Sequence, residues 1–126
     1  MEDDYNPLLT QDSLQDALLG MASESWRFAR FFERLLLKLD VGEQSRYQGQ
    51  IRWYVKKIEE SLAKANMRIV NVEGHPFDPG MAATPLNIDD FQPNDSLFVE
   101  QMLEPIIMNQ DGLLKSGTVV LRKMNQ

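Results

Sequence analysis

The residues that could carry chemistry are few in this 126-residue chain. Its single histidine, His75, lies in a Gly-His-Pro turn, whereas a general base needs an oriented partner and a pocket. Asp89 and Asp90 could suggest a metal site, but no EF-hand spacing follows them, and carboxylates in an acidic loop are usually solvated. No glycine-rich loop is present to cradle phosphates, so we expect no direct nucleotide binding. The sequence therefore predicts no catalytic residue, no metal and no cofactor, and it favours a binding protein over a small hydrolase or metal-dependent enzyme.

Composition limits the class of protein and its compartment. With 126 residues and 43% apolar residues, the chain can form one domain or two small lobes, and a second copy would add to a limited core. The absence of cysteine excludes disulfides and thiolate metal sites. No stretch approaches the roughly 18 unbroken apolar residues of a membrane span, and the acidic start differs from a secretory signal. We therefore expect a cytoplasmic protein that does not bind membranes.

The net charge of −6 is unevenly distributed. Residues 1–26 hold six acids and no Lys or Arg, residues 27–68 hold ten basic residues and five acids, and residues 69–126 hold three basic residues and eight acids. A nucleic-acid partner is disfavoured, because such proteins need a dominant basic field. The basic stretch is either a solvated helix face or a contact surface for an acidic partner protein, where charges would mainly aid encounter and register. Its helically spaced candidates for partner binding are Arg27, Arg30 and Arg34.

A helix is predicted in the first third of the chain. Ser13 and Asp16 form a variant of the capping box, so we expect residues 1–11 to be a disordered acidic tail and the helix to begin near residue 12. Apolar residues then recur at alternating spacings of four and three, which is the heptad seam of a bundle or coiled coil. The seam positions are Leu14, Leu18, Met21, Ser25, Phe28, Phe32, Leu35 and Leu39, and Ala17, Ala29, Phe31 and Leu36 widen the stripe.

A second helix is predicted from about residue 44 to residue 65. Gly42 is suited to a left-handed cap that ends the first helix, and Asn66 is suited to ending the second, because Asn tolerates left-handed dihedrals. One face of this helix carries the apolar and aromatic side chains of Tyr47, Ile51, Tyr54, Ile58 and Leu62.

The remaining residues favour short strands and turns. Prolines at three positions exclude long helices after residue 80. We therefore expect a small, mostly antiparallel β unit over residues 67–126. Its predicted elements are a short β-branched segment at Met67–Glu73, a strand at Leu97–Met108 interrupted by Pro105, a hairpin turn at Asn109–Gly112 and a final strand at Gly117–Lys123.

A helical hairpin over residues 12–66 followed by a β unit over residues 67–126 predicts an α+β chain with segregated halves. Two helices cannot bury a heptad stripe on both sides, so two chains would form a dimeric four-helix bundle. Packing of the helices against the β unit of the same chain is the alternative. Trp26 and Trp53 are expected in the bundle core or at the dimer interface. The predicted interface of the homodimer comprises Leu14, Leu18, Met21, Phe28, Phe32, Leu35, Leu39, Ile51, Tyr54 and Ile58.

Three motifs occur in the order and with the separations of one known family. Gly74–Ala82 reads Gly-His-Pro-Phe-Asp-Pro-Gly-Met-Ala, where the family has Gly-x-x-Phe-Asp-Pro-Asn. Upstream, Leu62–Val70 is similar to Leu-x-Lys-x-Gly-Val-x-x-Ile, with Asn66 in place of the glycine. Gly112–Leu121 is similar to Arg-Val-Leu-Arg-Pro-Ala-x-Val-x-Val. By these motifs and the order of its elements, the chain resembles the GrpE family, the nucleotide exchange factors of DnaK-type chaperones.

The resemblance implies a dimeric cochaperone in protein folding and the stress response. Such a protein binds the nucleotide-binding domain of a DnaK-type chaperone and promotes ADP release by holding the cleft open. Family contact positions fall on Phe77, Pro79, Leu103 and Leu121. The alternatives are core packing for Phe77 and Leu121 and a structural turn proline for Pro79. The chain would be a short, divergent member, because most of the long N-terminal coiled coil is missing and Ala82–Thr84 replaces the family His-Glu-Ala. The alternative is an adaptor for protein–protein interaction that has the fold without the exchange activity.

Overall fold

Two long helices form the first half of the molecule. In the computed structural model, which describes residues 7–124, α1 spans Pro7–Leu36 and α2 spans Val41–Ala63. α1 begins earlier than the pattern at Ser13 predicted, because proline is well tolerated in a first helical turn, where its missing N–H has no helical partner to lose. The prediction of a disordered tail is therefore wrong for residues 7–11, which belong to α1. Residues 1–6 of the predicted tail lie outside the described part of the chain.

The turn between the helices differs from the prediction at Gly42. α1 ends in i→i+3 hydrogen bonds, the last from the Leu39 N–H to the Leu36 carbonyl oxygen at 3.0 Å. Asp40 is the N-cap of α2, and its carboxylate accepts a hydrogen bond from the Glu43 N–H at 2.9 Å. Because this cap satisfies a free N–H of the helix start, Gly42 lies in the first turn of α2 and not in a left-handed cap of α1.

Asn66 has the predicted left-handed conformation, at the end of the turn that follows α2. Its φ is +63°, in the left-handed region. The chain turns there directly into β1, Met67–Val70. The prediction from the sequence is confirmed because a single short polar residue can adopt this conformation at little cost.

Within the described residues, six strands follow α2 and form two three-stranded sheets. After β1 they are β2 (Ala83–Pro85), β3 (Leu97–Glu104), β4 (Ile106–Asn109), β5 (Gly112–Lys115) and β6 (Gly117–Lys123), with a short 3-10 helix at Ile88–Asp90. One sheet has the order β1-β4-β5 and the other β2-β6-β3. All strand pairs are antiparallel except β2 with β6, which is parallel.

Most of these strands agree with the predicted pattern. The break at Pro105, the hairpin at Asn109–Gly112 and the last strand at Gly117–Lys123 are confirmed. β2 was not predicted, because three residues that include Pro85 carry little strand signal. It forms as an edge strand, where a missing N–H is tolerated, and its partner β6 lies far along the chain.

One face of the helical hairpin packs on the β unit. Trp26 is 3% exposed, and its indole N–H lies 3.5 Å from the Met102 carbonyl oxygen on β3. Packing within one chain therefore occurs on this face, and Trp26 belongs to the core shared by helix and sheet. That core comprises Trp26, Val72, Val99, Met102, Ile106, Val119 and Leu121.

The buried stripe of α1 lies beside the predicted heptad seam. Its members each follow a seam position by one residue, which corresponds to a rotation of about 100° around the helix. The seam itself consequently points away from most of the core. The buried stripe consists of Leu19, Ala22, Trp26, Ala29 and Leu36.

Candidate protein-binding surfaces

An apolar face of the hairpin remains exposed, and we call it the hairpin face. Met21 and Phe28 are 71% and 61% exposed, and the rings of Phe28 and Phe32 stack with their centroids 6.2 Å apart. A contiguous exposed apolar patch of this kind usually marks an interaction site. The predicted interface residues on the hairpin face are Leu14, Met21, Phe28, Phe32, Leu35 and Tyr54.

Two shallow depressions lie between α1 and α2 on the hairpin face. The first, of about 250 Å³, has Met21, Tyr54 and Ile58 in its lining. The second, of about 290 Å³, is lined in part by Phe28 and Trp53. Helices pack by inserting the side-chain ridges of one into the grooves of another, and these depressions are grooves between the ridges of α1 and α2.

Four residues predicted at the dimer interface are instead packed inside the chain. Ile51 and Ile58 are buried, because they fill the space between the two helices of one hairpin. Leu18 and Leu39 are half-buried against the same two clusters. These side chains pack beneath the exposed residues of the hairpin face, so they offer little accessible area to a partner.

A groove of about 480 Å³ lies on the β unit, and we call it the β-unit groove. Phe77 is half-buried and Pro79 exposed, as a contact surface requires. The Phe77 N–H donates to the Leu97 carbonyl oxygen at 2.8 Å, which fixes the turn to β3. The whole lining comprises Phe77, Pro79, Ile88, Asp89, Phe91, Gln92, Pro93, Asp95 and Leu97.

Ile88 and Phe91 are contributors to the β-unit groove that the sequence interpretation missed. They lie in the loop that reads as acidic because of Asp89 and Asp90. The sequence signal that could have identified them is the apolar residue on each side of the two carboxylates, Ile88 before Asp89 and Phe91 after Asp90. The structure thus gives this loop an apolar surface with an acidic rim.

Leu121 does not belong to any contact surface. It is 2% exposed, because alternate residues of β6 point into the core beside Val99 and Val119. Both backbone groups of Leu121 are bonded to the Asn87 side chain, with each distance 2.9 Å. The prediction that Leu121 contacts a partner is therefore wrong, and this residue has a structural role.

The remaining partner-binding candidates, Leu103, Arg27 and Arg34, lie together and outside the β-unit groove. Leu103 is half-buried and shares a depression of about 330 Å³ with Arg27 and Arg34. Arg27 pairs with Glu24 at 3.3 Å, at the exposed surface. The guanidinium of Arg34 lies 5.8 Å from the centre of a neighbouring aromatic ring.

Arg30 is not free to meet a partner. Its side chain is 20% exposed, and its guanidinium pairs with Glu33 at 3.0 Å and also with Glu73. Glu73 lies in the segment that follows β1, so this ion pair connects α1 to the β unit. Arg30 is therefore corrected from a partner-binding residue to a link within the chain.

The residues considered above for catalytic chemistry are His75, Asp89 and Asp90. His75 is exposed, and its backbone carbonyl accepts a hydrogen bond from the Val99 N–H at 2.9 Å, as expected of a turn residue. Asp89 and Asp90 lie in the short 3-10 helix. Between residues 7 and 124 there is no group of three or more His, Cys, Asp or Glu side chains that could hold a metal ion. Within the same residues, none of the helices has the length and apolar character of a membrane span.

Apolar side chains form much of the hairpin face and of the β-unit groove. Neither the hairpin face nor the β-unit groove has a histidine in its lining, and the groove includes the carboxylates of Asp89 and Asp95. The motifs that resemble the GrpE family are placed on the end of α2, the turn before β2 and the last two strands. Comparison of the chain with protein-family models, curated proteins and solved structures gave no match.

Proposed function

We propose that this chain is a GrpE-like cochaperone that binds the nucleotide-binding domain of a DnaK-type chaperone and promotes ADP release. A ligand that binds the open form of a cleft more tightly than the closed form shifts the population towards the open form. ADP then leaves faster. The activity makes and breaks no covalent bond, so it requires no acid, base or metal from this chain.

The observation that carries the proposal is the β-unit groove around Phe77 and Pro79. These residues occupy two of the contact positions that the resemblance implies, and their side chains are accessible. The groove is anchored, since Phe77 is hydrogen-bonded to Leu97 and packs on the core of the β unit. A protein that holds a cleft open must resist deformation, and an anchored surface meets that requirement.

The hairpin face supports the second part of the proposal, which is a homodimer. Its apolar residues lie on the two helices and surround depressions of suitable shape for further helices. Two hairpins that meet through this face would form a four-helix bundle. The β unit packs on α1 beside Trp26, about 100° around the helix from the hairpin face, so the β-unit groove would remain accessible in such a dimer.

The test is the release of fluorescent ADP from a DnaK-type chaperone of the same organism. The unmodified chain should accelerate release. The double variant Pro79→Ala/Ile88→Ala removes two exposed side chains from the groove. It should raise the concentration needed for half-maximal acceleration by about tenfold or more, as truncation of binding hot spots does. Leu86→Ala is the matched control, because Leu86 is an exposed apolar residue of the β unit outside the groove.

An adaptor without exchange activity is the second candidate. It is favoured by the burial of Leu121, which removes one of the contact positions that the resemblance implies. Ala82 and Ala83 also pack against the core, where the family has His and Glu. An adaptor should bind the chaperone, with binding weakened by the same groove variants, while the rate of ADP release stays unchanged.

A further inference from the structure

A separate groove of about 460 Å³ lies between the helical hairpin and β3, and we call it the arginine groove. Three elements contribute to it, namely the end of α1, the first half of α2 and the middle of β3. Its lining comprises Arg30, Glu33, Arg34, Leu36, Leu37, Gln48, Arg52 and Gln101. Gln101 is four residues along β3 from Leu97 of the β-unit groove, a separation of about 13 Å in a strand.

The arginine groove carries positive charge that the carboxylates of residues 7–124 pair only in part. Arg30 and Glu33 pair with each other at 3.0 Å. Arg34 and Arg52 are exposed, and within residues 7–124 neither has a carboxylate at ion-pair distance. Two guanidinium groups are thus available in a protein whose net charge is −6. Guanidinium groups bind carboxylates with two parallel hydrogen bonds, which gives them a preference for such ligands.

Apolar side chains lie next to these charges. Leu37 in the groove is 70% exposed, and Phe31 is exposed beside the Arg34 guanidinium. The depression that contains Leu103 shares Arg34 and Arg30 with the arginine groove, so the two form one continuous surface. The surface therefore offers two cations, the side-chain amides of Gln48 and Gln101, and apolar contacts.

We infer that the arginine groove binds an acidic segment of a partner protein, in which carboxylates alternate with apolar side chains. Charge complementarity identifies the carboxylates as ligands of Arg34 and Arg52. A nucleic acid is a poorer occupant, because its affinity depends on many phosphate contacts and the groove has few free cations. The inference does not depend on the exchange activity proposed above.

The test uses the full chain and a short fluorescein-labelled peptide in which Glu and Asp alternate with Leu. Fluorescence anisotropy should show binding that weakens as salt rises. Arg34→Gln and Arg52→Gln should each weaken it by about fivefold, the upper range for an exposed ion pair, and the double variant by more than about tenfold. Arg68→Gln removes the same charge from an exposed position on β1 outside the groove, and should leave binding within about twofold.

Two further probes complete the design. A peptide with Gln and Asn in place of Glu and Asp should not bind, which would assign the affinity to the carboxylates. A single-stranded DNA oligonucleotide should bind more weakly than the acidic peptide. The inference is overturned if the acidic peptide does not bind, if Arg68→Gln weakens binding as much as the groove variants, or if DNA binds more tightly through Arg34 and Arg52. The assay contains no chaperone, so its result is distinguishable from that of the ADP-release experiment.

Discussion

Glu73 binds Arg30 through the same carboxylate oxygen that accepts a hydrogen bond from the backbone N–H of Met102 at 2.7 Å. Arg30 belongs to α1 and Met102 to β3, whereas Glu73 lies in the segment after β1. Both charged side chains are about one-fifth exposed. One carboxylate therefore joins the helical hairpin to the sheet, beside the packing of Trp26 on the same strand.

Removal of the charge of Glu73 should weaken the contact between the helical hairpin and the β unit and so destabilise the fold. We expect Glu73→Gln to lower the free energy of unfolding by about 1–3 kcal/mol, because a partly buried Arg30 loses a charged partner. The amide oxygen of the variant can still accept from Met102. Urea unfolding followed by circular dichroism measures the change. Glu24→Gln, at the exposed pair with Arg27, should cost less than about 0.5 kcal/mol. Equal losses in the two variants would contradict a special role for Glu73.

The hairpin face should control dimerisation. Phe28→Glu places a charge on an exposed position, so the monomer should still fold, while the dissociation constant of the dimer should rise by at least about thirtyfold (~2 kcal/mol). Sedimentation at micromolar concentration distinguishes the two states. Leu86→Glu, an equally exposed substitution on the β unit, should remain dimeric. A strictly monomeric unmodified chain would exclude the homodimer.

Two glycines should respond in opposite directions to alanine. A Cβ at Gly117 would lie 2.8 Å from the Glu104 carbonyl oxygen, so Gly117→Ala should destabilise the chain by about 1–3 kcal/mol. A Cβ at Gly49 would meet nothing within 4 Å, and the residue is in the interior of α2. Gly49→Ala should therefore stabilise by about 0.5–1 kcal/mol. Thermal unfolding of both variants provides the comparison, and the close contact is disproved if Gly117→Ala is as stable as the unmodified chain.

Asn66 should be replaceable by glycine but not by alanine. Its φ of +63° costs an ordinary L-residue about 1–2 kcal/mol. We expect Asn66→Ala to destabilise by about 1 kcal/mol and Asn66→Gly to stay within about 0.5 kcal/mol of the unmodified chain. Chemical denaturation of the three proteins in parallel measures this order. An alanine variant as stable as the glycine variant would show that the helix end relaxes to another conformation.

Much of the fold could be predicted because its signals are local. The period of α1, the turn at Asn66, the break at Pro105 and the hairpin at Asn109–Gly112 each depend on residues close together in the chain. The prediction was wrong where two local signals competed. At the start of α2, the Asp40 side chain capped the helix, so Gly42 was incorporated into its first turn.

The candidate surfaces were predicted less well, because accessibility depends on contacts that are distant in the sequence. Leu121 and Pro79 were both candidates by resemblance, yet one points into the core from β6 and the other lines a groove. Arg30 and Arg34 share a helical spacing, but Glu73 pairs with only one of them. Such differences follow from strand order and sheet packing, which no local pattern encodes.

The sequence by itself determined an α+β chain with a helical hairpin, a β-rich second half and few residues suited to catalysis. Periodicity and turn chemistry act through backbone torsions and nearest neighbours, so they are readable without a structure. Only the tertiary structure decided which of two adjacent stripes of α1 is buried. Trp26 and Ala29 face the core, and Met21 and Phe28 remain at the surface. The reason is physical: both stripes are apolar, and the choice depends on where the β unit packs.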